Sequence, residues 1–180
     1  MLLKTVVKKI ESSKVFKDFK NRNPDFYLAH AFTIIDKIQQ DWQTGYYSRT
    51  KDKVVVFMAG KETHSRESAG APKEKLLSVT RSQEEEVFKK PGERVKKLEL
   101  KKVKINLEKA IDISEKLLKK KYPAEVVTKT IVILQHLETE LYNLTLVTQS
   151  LNIINIKIDA NNSKVLHESR QSILGLKKND

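Results

Sequence analysis

The sequence contains no cysteine and little glycine or proline: its 180 residues include five glycines and four prolines. Without cysteine the chain forms no disulfide framework, iron–sulfur cluster or thiolate zinc site, and it has no thiol nucleophile. The glycines are scattered, so neither a G-x-G-x-x-G turn nor a phosphate-binding loop is present. Composition alone therefore excludes several classes of enzyme and cofactor protein.

Long hydrophobic runs are also missing. No window approaches the roughly 18 uninterrupted apolar residues that a membrane-spanning helix needs. Residues 1–10 begin with apolar side chains, but lysines interrupt them before the hydrophobic core of a signal peptide can form. We therefore expect no transmembrane segment and a cytoplasmic location.

The first half of the chain reads as one helix followed by strands. Apolar residues recur at helical spacing over about 2–20, and Pro24 closes this pattern because the residue before a proline avoids the helical conformation. Residues 60–75 lose all periodicity and predict a mobile loop. The strand-like runs of this half are residues 27–36, 42–49, 53–59 and 76–88.

The second half repeats the plan. Asn106 is positioned to cap a helix that ends near 121, before Tyr122 and Pro123. The strand-like runs that follow are residues 126–135, 141–148, 151–160 and 164–171. The sequence therefore predicts an α+β fold of two helix-plus-antiparallel-meander units, 1–88 and 105–180, joined by a basic connector at 89–104.

The two halves can be overlaid at a constant shift of 99 residues without a gap. Pro24 then falls on Pro123, and apolar strand positions fall on apolar positions, as Phe32 does on Ile131. This match indicates a tandem repeat.

Two short motifs in the second half resemble the PepSY domain. Residues 105–110 (Ile-Asn-Leu-Glu-Lys-Ala) open a helix as in that family's "I-s-x-e-x-A", and residues 158–166 (Ile-Asp-Ala-Asn-Asn-Ser-Lys-Val-Leu) resemble its late hairpin "v-D-x-x-x-G-k-v-l". The likeness covers about 104–170, with the first half as a degenerate second copy. Ser163 stands where the family usually has glycine, and residues 50–60 lack the Asp-to-Gly turn.

The PepSY resemblance implies a non-catalytic module with a cystatin-like helix-on-sheet fold. In that family the domain is linked to protease propeptides and to regulation outside the cytoplasm.

No catalytic or metal-binding constellation emerges from the sequence. The four histidines include no H-E-x-x-H pair, and His30 lies mid-strand, where a satisfied, partly buried histidine is the ordinary interpretation. We expect no enzyme activity, no cofactor and no metal.

Positive charge is concentrated in one segment. The net charge is +12, and residues 89–121 carry 13 basic and 5 acidic groups. Such a stripe can bind phosphates of nucleic acid or anionic lipid, or it can be a solvated helix face. The candidate phosphate-binding residues are Lys89, Lys90, Arg94, Lys96, Lys97, Lys101, Lys102 and Lys104.

Aromatic residues cluster on the first hairpin. Alternation places Trp42 and Tyr46 on one face and Tyr47 on the other, so we expect some of these rings in the core and the rest half-exposed. If Trp42 and Tyr46 lie on an open sheet face, they would anchor a partner protein, and the three rings are the candidate protein-binding residues. Residues 153–158 are nearly apolar on both faces, which is typical of a central strand or of an edge closed by homodimerisation.

Two functional hypotheses follow. The first is a non-enzymatic intracellular binding or regulatory module that contacts an unknown protein partner through a sheet face or edge. The alternative is a nucleic-acid-associated protein that uses the basic segment. They differ in salt response, because binding to phosphates weakens steeply with salt whereas apolar contacts respond little.

Overall fold

The computed structural model describes residues 2–63, 76–87, 89 and 93–174, and it has an α+β fold. The helices are α1 (Leu3–Ser12), α2 (Lys14–Arg22) and α3 (Leu107–Lys121). The strands are β1 (Tyr27–Asp36), β2 (Ile38–Gln39), β3 (Gln43–Ser48), β4 (Lys53–Thr63), β5 (Leu76–Arg81), β6 (Glu85–Glu86), β7 (Val127–His136), β8 (Glu140–Thr148), β9 (Asn152–Asp159) and β10 (Val165–Ser172). Among the described residues, no helix combines the length and the apolar character that a membrane crossing requires.

The strands form one antiparallel sheet of 10 strands. Its main path runs β10-β9-β8-β7-β1-β3-β4-β5, with β2 paired to β1 and β6 paired to β4. Each half of the chain supplies one meander, and the meanders join where β1 pairs with β7. The first strand of each half is therefore central in the sheet.

The junction between β1 and β7 follows the 99-residue shift, whereas the next strands do not. Thr33 lies opposite Val132, its own equivalent under that shift. Phe32 and Ile131 are equivalent under the shift of 99, but their partners on the next strands are not. Gln43 lies opposite Phe32 and Thr145 lies opposite Ile131, and these two partners are 102 residues apart. The gapless overlay thus fails beyond the central strands, because the connections between β1 and β3 and between β7 and β8 differ in length.

The predicted helix over 2–20 is in fact two helices separated at Ser13. Ser13 has extended backbone angles (φ −69°, ψ 151°). Its hydroxyl donates to the carbonyl of Ile10 at 2.6 Å and accepts from the backbone N–H of Phe16 at 3.2 Å. One side chain therefore bonds the end of α1 and caps the start of α2.

The helices cover one face of the sheet and enclose a core shared by both halves. Ile10 of α1, Ala110 of α3, Val55 of β4 and Ile156 of β9 belong to the same buried cluster and have 0–1% exposure. The connector joins this core, because Leu98 is buried and its N–H donates to the carbonyl of Leu28 at 2.9 Å. The two meanders consequently rest on a single hydrophobic layer.

Three sequence expectations need correction at the strand ends. Residues 60–63 belong to β4 and not to a loop, while residues 64–75 of that predicted loop lie outside the described residues. The predicted strand over 76–88 is two pieces, β5 and the two-residue β6. Finally, β9 is an inner strand that pairs with both β8 and β10, so the first of the two alternatives for residues 153–158 holds and an edge closed by homodimerisation is wrong.

Candidate functional site

The sheet face opposite the helices carries an apolar patch at its centre. Phe32 and Ile34 of β1 lie directly opposite Ile133 and Ile131 of β7, respectively. All four side chains are half-buried. We call these four residues the central patch and this side of the sheet the open face; within the described part of the chain, no helix packs on it.

Polar side chains border the central patch on β8 and β9. The Asn155 amide donates to Asn143 Oδ1 at 2.9 Å and to Thr145 Oγ1 at 3.2 Å. The side chains that β1, β7, β8 and β9 place on this face are His30, Phe32, Ile34, Asp36, Lys129, Ile131, Ile133, Gln135, Leu141, Asn143, Thr145, Val147, Ile153, Asn155, Lys157 and Asp159. Four of these sixteen have a formal charge, two acidic and two basic, so this surface has no net charge and offers apolar contacts and hydrogen bonds at its centre.

His30 lies beside the central patch with its ring over Gly45 of β3. A Cβ built on Gly45 would be 2.1 Å from the ring carbon Cε1 of His30. Burial lowers the pKa of His30, so the ring is neutral near pH 7. Regular alternation would put Leu28 on the same face as His30, but β1 bulges between these residues and Leu28 turns toward the helices.

The aromatic cluster of the first hairpin is buried, so the core alternative holds and Trp42, Tyr46 and Tyr47 are not an exposed anchor. Trp42 and Tyr46 are 4% and 2% exposed and belong to the core under the helices. The Tyr46 hydroxyl donates to Glu11 Oε1 at 3.0 Å, and burial together with Glu11 raises the pKa of Tyr46. Tyr47 is 3% exposed and donates to Asp52 Oδ1 at 2.6 Å. A partner protein cannot reach these rings without rearrangement of the fold.

The predicted phosphate-binding residues do not converge on one site. Lys89 pairs with Asp52 at 2.6 Å, and Lys101 and Lys102 both pair with Glu99, at 3.2 and 2.5 Å. Lys96 donates to the carbonyl of Leu137, and Arg94, Lys97 and Lys104 are exposed. Lys90 lies outside the described residues.

Part of the basic charge nevertheless lies on the helical side of the sheet. The three helices hold 12 basic and 5 acidic side chains, a net +7 of the chain's +12. Residues 93–106 add 6 basic and 2 acidic side chains, but they do not all lie on that side, because the carbonyl of Val95 accepts a hydrogen bond from Tyr27, whose partner Tyr47 lies on the open face. The sequence revealed the charge but not this distribution.

Comparisons with known proteins give little further guidance. No protein-family model matches the chain, and a search of curated proteins gives no significant match. One solved structure that resembles it is the crystal structure of a "putative lipoprotein" from Clostridium difficile, at 13% identity, covering 87% of this chain and 90% of that one, with a TM-score of 0.48. At that identity and TM-score, nothing about this chain is concluded from the likeness.

Sequence reasoning missed a polar cleft beside the turn between β7 and β8. His136 Nδ1 lies 2.9 Å from Glu140 Oε1, and Glu140 is 2% exposed. The cleft is lined by Lys101, Lys102, Lys104, His136, Glu138, Thr139, Glu140 and Asn161. Its lysines are offset by Glu138, Glu140 and the nearby Glu99, so the cleft is not a strong anion site. The sequence feature that could have predicted this contact is the position of His136 and Glu140 on either side of a short hairpin turn.

The described residues contain no group of three or more histidine, aspartate or glutamate side chains that could hold a metal ion. His64, which falls within the predicted loop over 60–75, lies outside the described residues.

Proposed function

We propose that this protein is a non-catalytic binding module that recognises a partner protein through the open face. The observation that carries this proposal is the central patch of Phe32, Ile34, Ile131 and Ile133. Four large apolar side chains at the middle of a sheet face on which no described helix packs are the kind of contiguous apolar surface that marks interaction sites. Energy in protein interfaces is concentrated in such central residues, with polar groups around them.

The charge distribution supports a partner surface that is apolar and has little net charge. Twelve of the sixteen side chains on this part of the open face are uncharged and the charges of the other four cancel, whereas the three helices on the opposite side carry a net charge of +7. The bordering amides of Asn143 and Asn155 suit a partner that presents amide or hydroxyl groups around an apolar centre. Affinity should therefore depend weakly on salt.

Two matched variants test the proposal. The partner is first identified by crosslinking and then purified. Calorimetry measures its Kd for the wild-type protein, for the patch variant Phe32→Ser/Ile133→Asn, and for the control variant Lys116→Glu on the helical side. Loss of the central patch should raise Kd by about tenfold or more, because hot-spot residues dominate binding. Lys116→Glu and added salt should change Kd little.

Two outcomes would overturn the proposal. One is an unchanged Kd for a correctly folded Phe32→Ser/Ile133→Asn variant. The other is a dimer of the wild-type chain in light scattering that the same variant does not form, because the open face would then bind a second copy of this chain.

A second candidate function, association with nucleic acid, is favoured by the net +11 on the helices and residues 93–106. Anisotropy of labelled DNA and RNA should then rise on titration, with affinity that falls log-linearly with salt. Lys96, Lys97, Lys101 and Lys102 changed together to Glu should abolish binding, while Lys157→Glu on the open face should not. Absence of binding at low salt would remove this candidate.

We further propose that the chain is a tandem repeat of PepSY-like units. Support for a repeat comes from the self-equivalent pair Thr33 and Val132, and from β-bulges at Ala29 and Thr128, which are also 99 residues apart. A strand pair centred on equivalent residues is what two related units joined about a two-fold axis would produce.

The turn between β9 and β10 supports the PepSY likeness in physical terms. Asp159 Oδ1 accepts hydrogen bonds from the backbone N–H groups of Asn161 and Asn162 at 2.7 and 3.1 Å, a role that suits the "D" of the motif. Ser163 has φ +69°, a left-handed conformation that favours glycine, and this is the position where the family usually has glycine.

A further inference from the structure

A second concave site lies on the helical side, where the first turns of α1 and α3 approach each other. The cavity measures about 290 Å³. Its walls are apolar: Leu3 comes from α1, Leu100 and Val103 from the connector, and Leu107 from α3. Trp42 and Tyr142, on the sheet, complete the lining, so both halves of the chain build this site.

The charged lining residues of the cavity are two lysines and one glutamate. Lys4, Lys104 and Glu108 are exposed, as are the uncharged polar lining residues Gln39 and Asn106, so we place all five at the mouth. Lys104 also lines the polar cleft beside the β7–β8 turn. Lys4 Nζ donates to the carbonyl of Val103 at 3.3 Å. Among the described residues, no carboxylate lies within ion-pairing distance of Lys4 or Lys104, so both ammonium groups are available to an anionic head group.

We propose that this cavity binds a single-chain carboxylate of medium length, with the hydrocarbon inside and the carboxylate at Lys4 and Lys104. The volume is roughly twice the ~150 Å³ cavity that accepts benzene, which suits a body of about ten carbons. An apolar interior with few convergent polar groups at its entrance is the usual construction of a small-molecule site. This ligand would occupy the side of the sheet opposite the open face.

The charges at the mouth set the order of preference among ligands of equal length. A carboxylate gains from two lysines and loses from Glu108, whereas a quaternary ammonium experiences the reverse. A neutral alcohol retains the apolar contacts alone. Decanoate should therefore bind more tightly than decanol, and decanol more tightly than decyltrimethylammonium.

The sole tryptophan of the chain gives a direct readout, because Trp42 lines the cavity at 4% exposure. Decanoate, kept below its micelle concentration, is titrated into the full-length protein and followed by Trp42 fluorescence and by calorimetry. We expect saturable one-to-one binding. Lys4→Met/Lys104→Met should raise Kd about tenfold, since two partly exposed ion pairs are lost.

Three further variants make the assignment specific. Lys8→Met, on α1 but outside the cavity lining, is the matched control and should leave Kd unchanged. Glu108→Gln should lower Kd, because it removes the repulsive carboxylate. Leu100→Phe, which fills the cavity, should abolish binding if circular dichroism shows a folded protein.

The proposal is overturned by any of three results. These are absence of saturable binding, equal affinity for decanoate and decyltrimethylammonium, or an unchanged Kd in Lys4→Met/Lys104→Met. The lysine variant alters exposed side chains only, so it decides the question even where Leu100→Phe does not fold.

Discussion

The ring of His30 explains, at the scale of single residues, why position 45 is glycine. Gly45 lies in the regular strand β3, directly opposite His30 on β1. The imidazole occupies the space where any side chain at 45 would start, with the nearest ring atom 2.1 Å from a built Cβ. Glycine is therefore needed here for space rather than for backbone conformation.

Replacement of Gly45 by alanine should destabilise the protein. Because the half-buried ring of His30 must move, we expect a loss of about 1–3 kcal/mol in the free energy of unfolding, as for other overpacked sites. Urea denaturation monitored by Trp42 fluorescence measures this loss.

The double variant His30→Ala/Gly45→Ala is the control. Without the imidazole the new methyl group has room, so the two changes should be strongly non-additive. Additive effects of His30→Ala and Gly45→Ala would contradict the packing described here.

At Ser163, in contrast to Gly45, replacement of the native residue by glycine should stabilise the protein. Its φ of +69° is costly for a residue with a Cβ, so Ser163→Gly should raise the free energy of unfolding by up to about 1 kcal/mol. Ser163→Ala retains the Cβ and should give no gain. A loss of stability in Ser163→Gly, measured by thermal or urea denaturation, would show that the serine is not strained.

At the residue scale the sequence could place the polar turn and cap residues but not the buried ones. Asn106 was predicted as a cap, and its side chain does accept the N–H of Lys109 at 2.9 Å. The role follows from local bonding that adjacent residues determine. Burial of Trp42 depends on which sheet face the helices cover, and alternation along one strand cannot decide that.

At the scale of elements, the sequence predicted the positions of α3 and the long strands closely but missed the break at Ser13. Strand periodicity and the Pro123 stop are local signals, which explains the agreement. Apolar spacing continues across Ser13 from Ile10 to Phe16, so the pattern suggested one helix. The break depends on a serine side chain that bonds backbone groups on both sides.

Ser13→Ala should therefore destabilise both flanking helices. The substitution removes the hydrogen bond of 2.6 Å to the carbonyl of Ile10 and the hydrogen bond of 3.2 Å from the N–H of Phe16. We expect the free energy of unfolding to fall by about 1–2 kcal/mol. Ser12→Ala is the matched control, since Ser12 is exposed and bonds only the carbonyl of Lys9. Equal effects of the two substitutions in urea denaturation would argue against the capping role.

At the scale of the whole molecule, the three helices carry a net charge of +7 on one side of the sheet and the central patch lies on the other side. The sequence supplied the net charge of +12 and the meanders, because both can be counted or read locally. It did not reveal the β1–β7 junction, which pairs residues about 100 positions apart. That junction places Phe32 beside Ile133 and so creates the central patch.

The shared core predicts that the two halves unfold together. Ile156 in the second half is fully buried in the same cluster as Trp42 in the first, and β1 and β7 make the sheet continuous between them. Ile156→Ala should lower the free energy of unfolding by about 2–5 kcal/mol. Because unfolding is cooperative across one core, the loss should be the same whether it is followed by Trp42 fluorescence or by far-ultraviolet circular dichroism.

Ile38→Ala, at a side chain that is 77% exposed, is the control and should shift neither transition. A Trp42 transition that stays at its wild-type midpoint in Ile156→Ala, while circular dichroism separates into two steps, would show that the halves unfold independently. Coincident transitions would mean that the backbone pairing of Thr33 with Val132 and the helices above it couple the two meanders energetically. A ligand in the cavity between α1 and α3 would then stabilise both halves at once, since residues of each half line it.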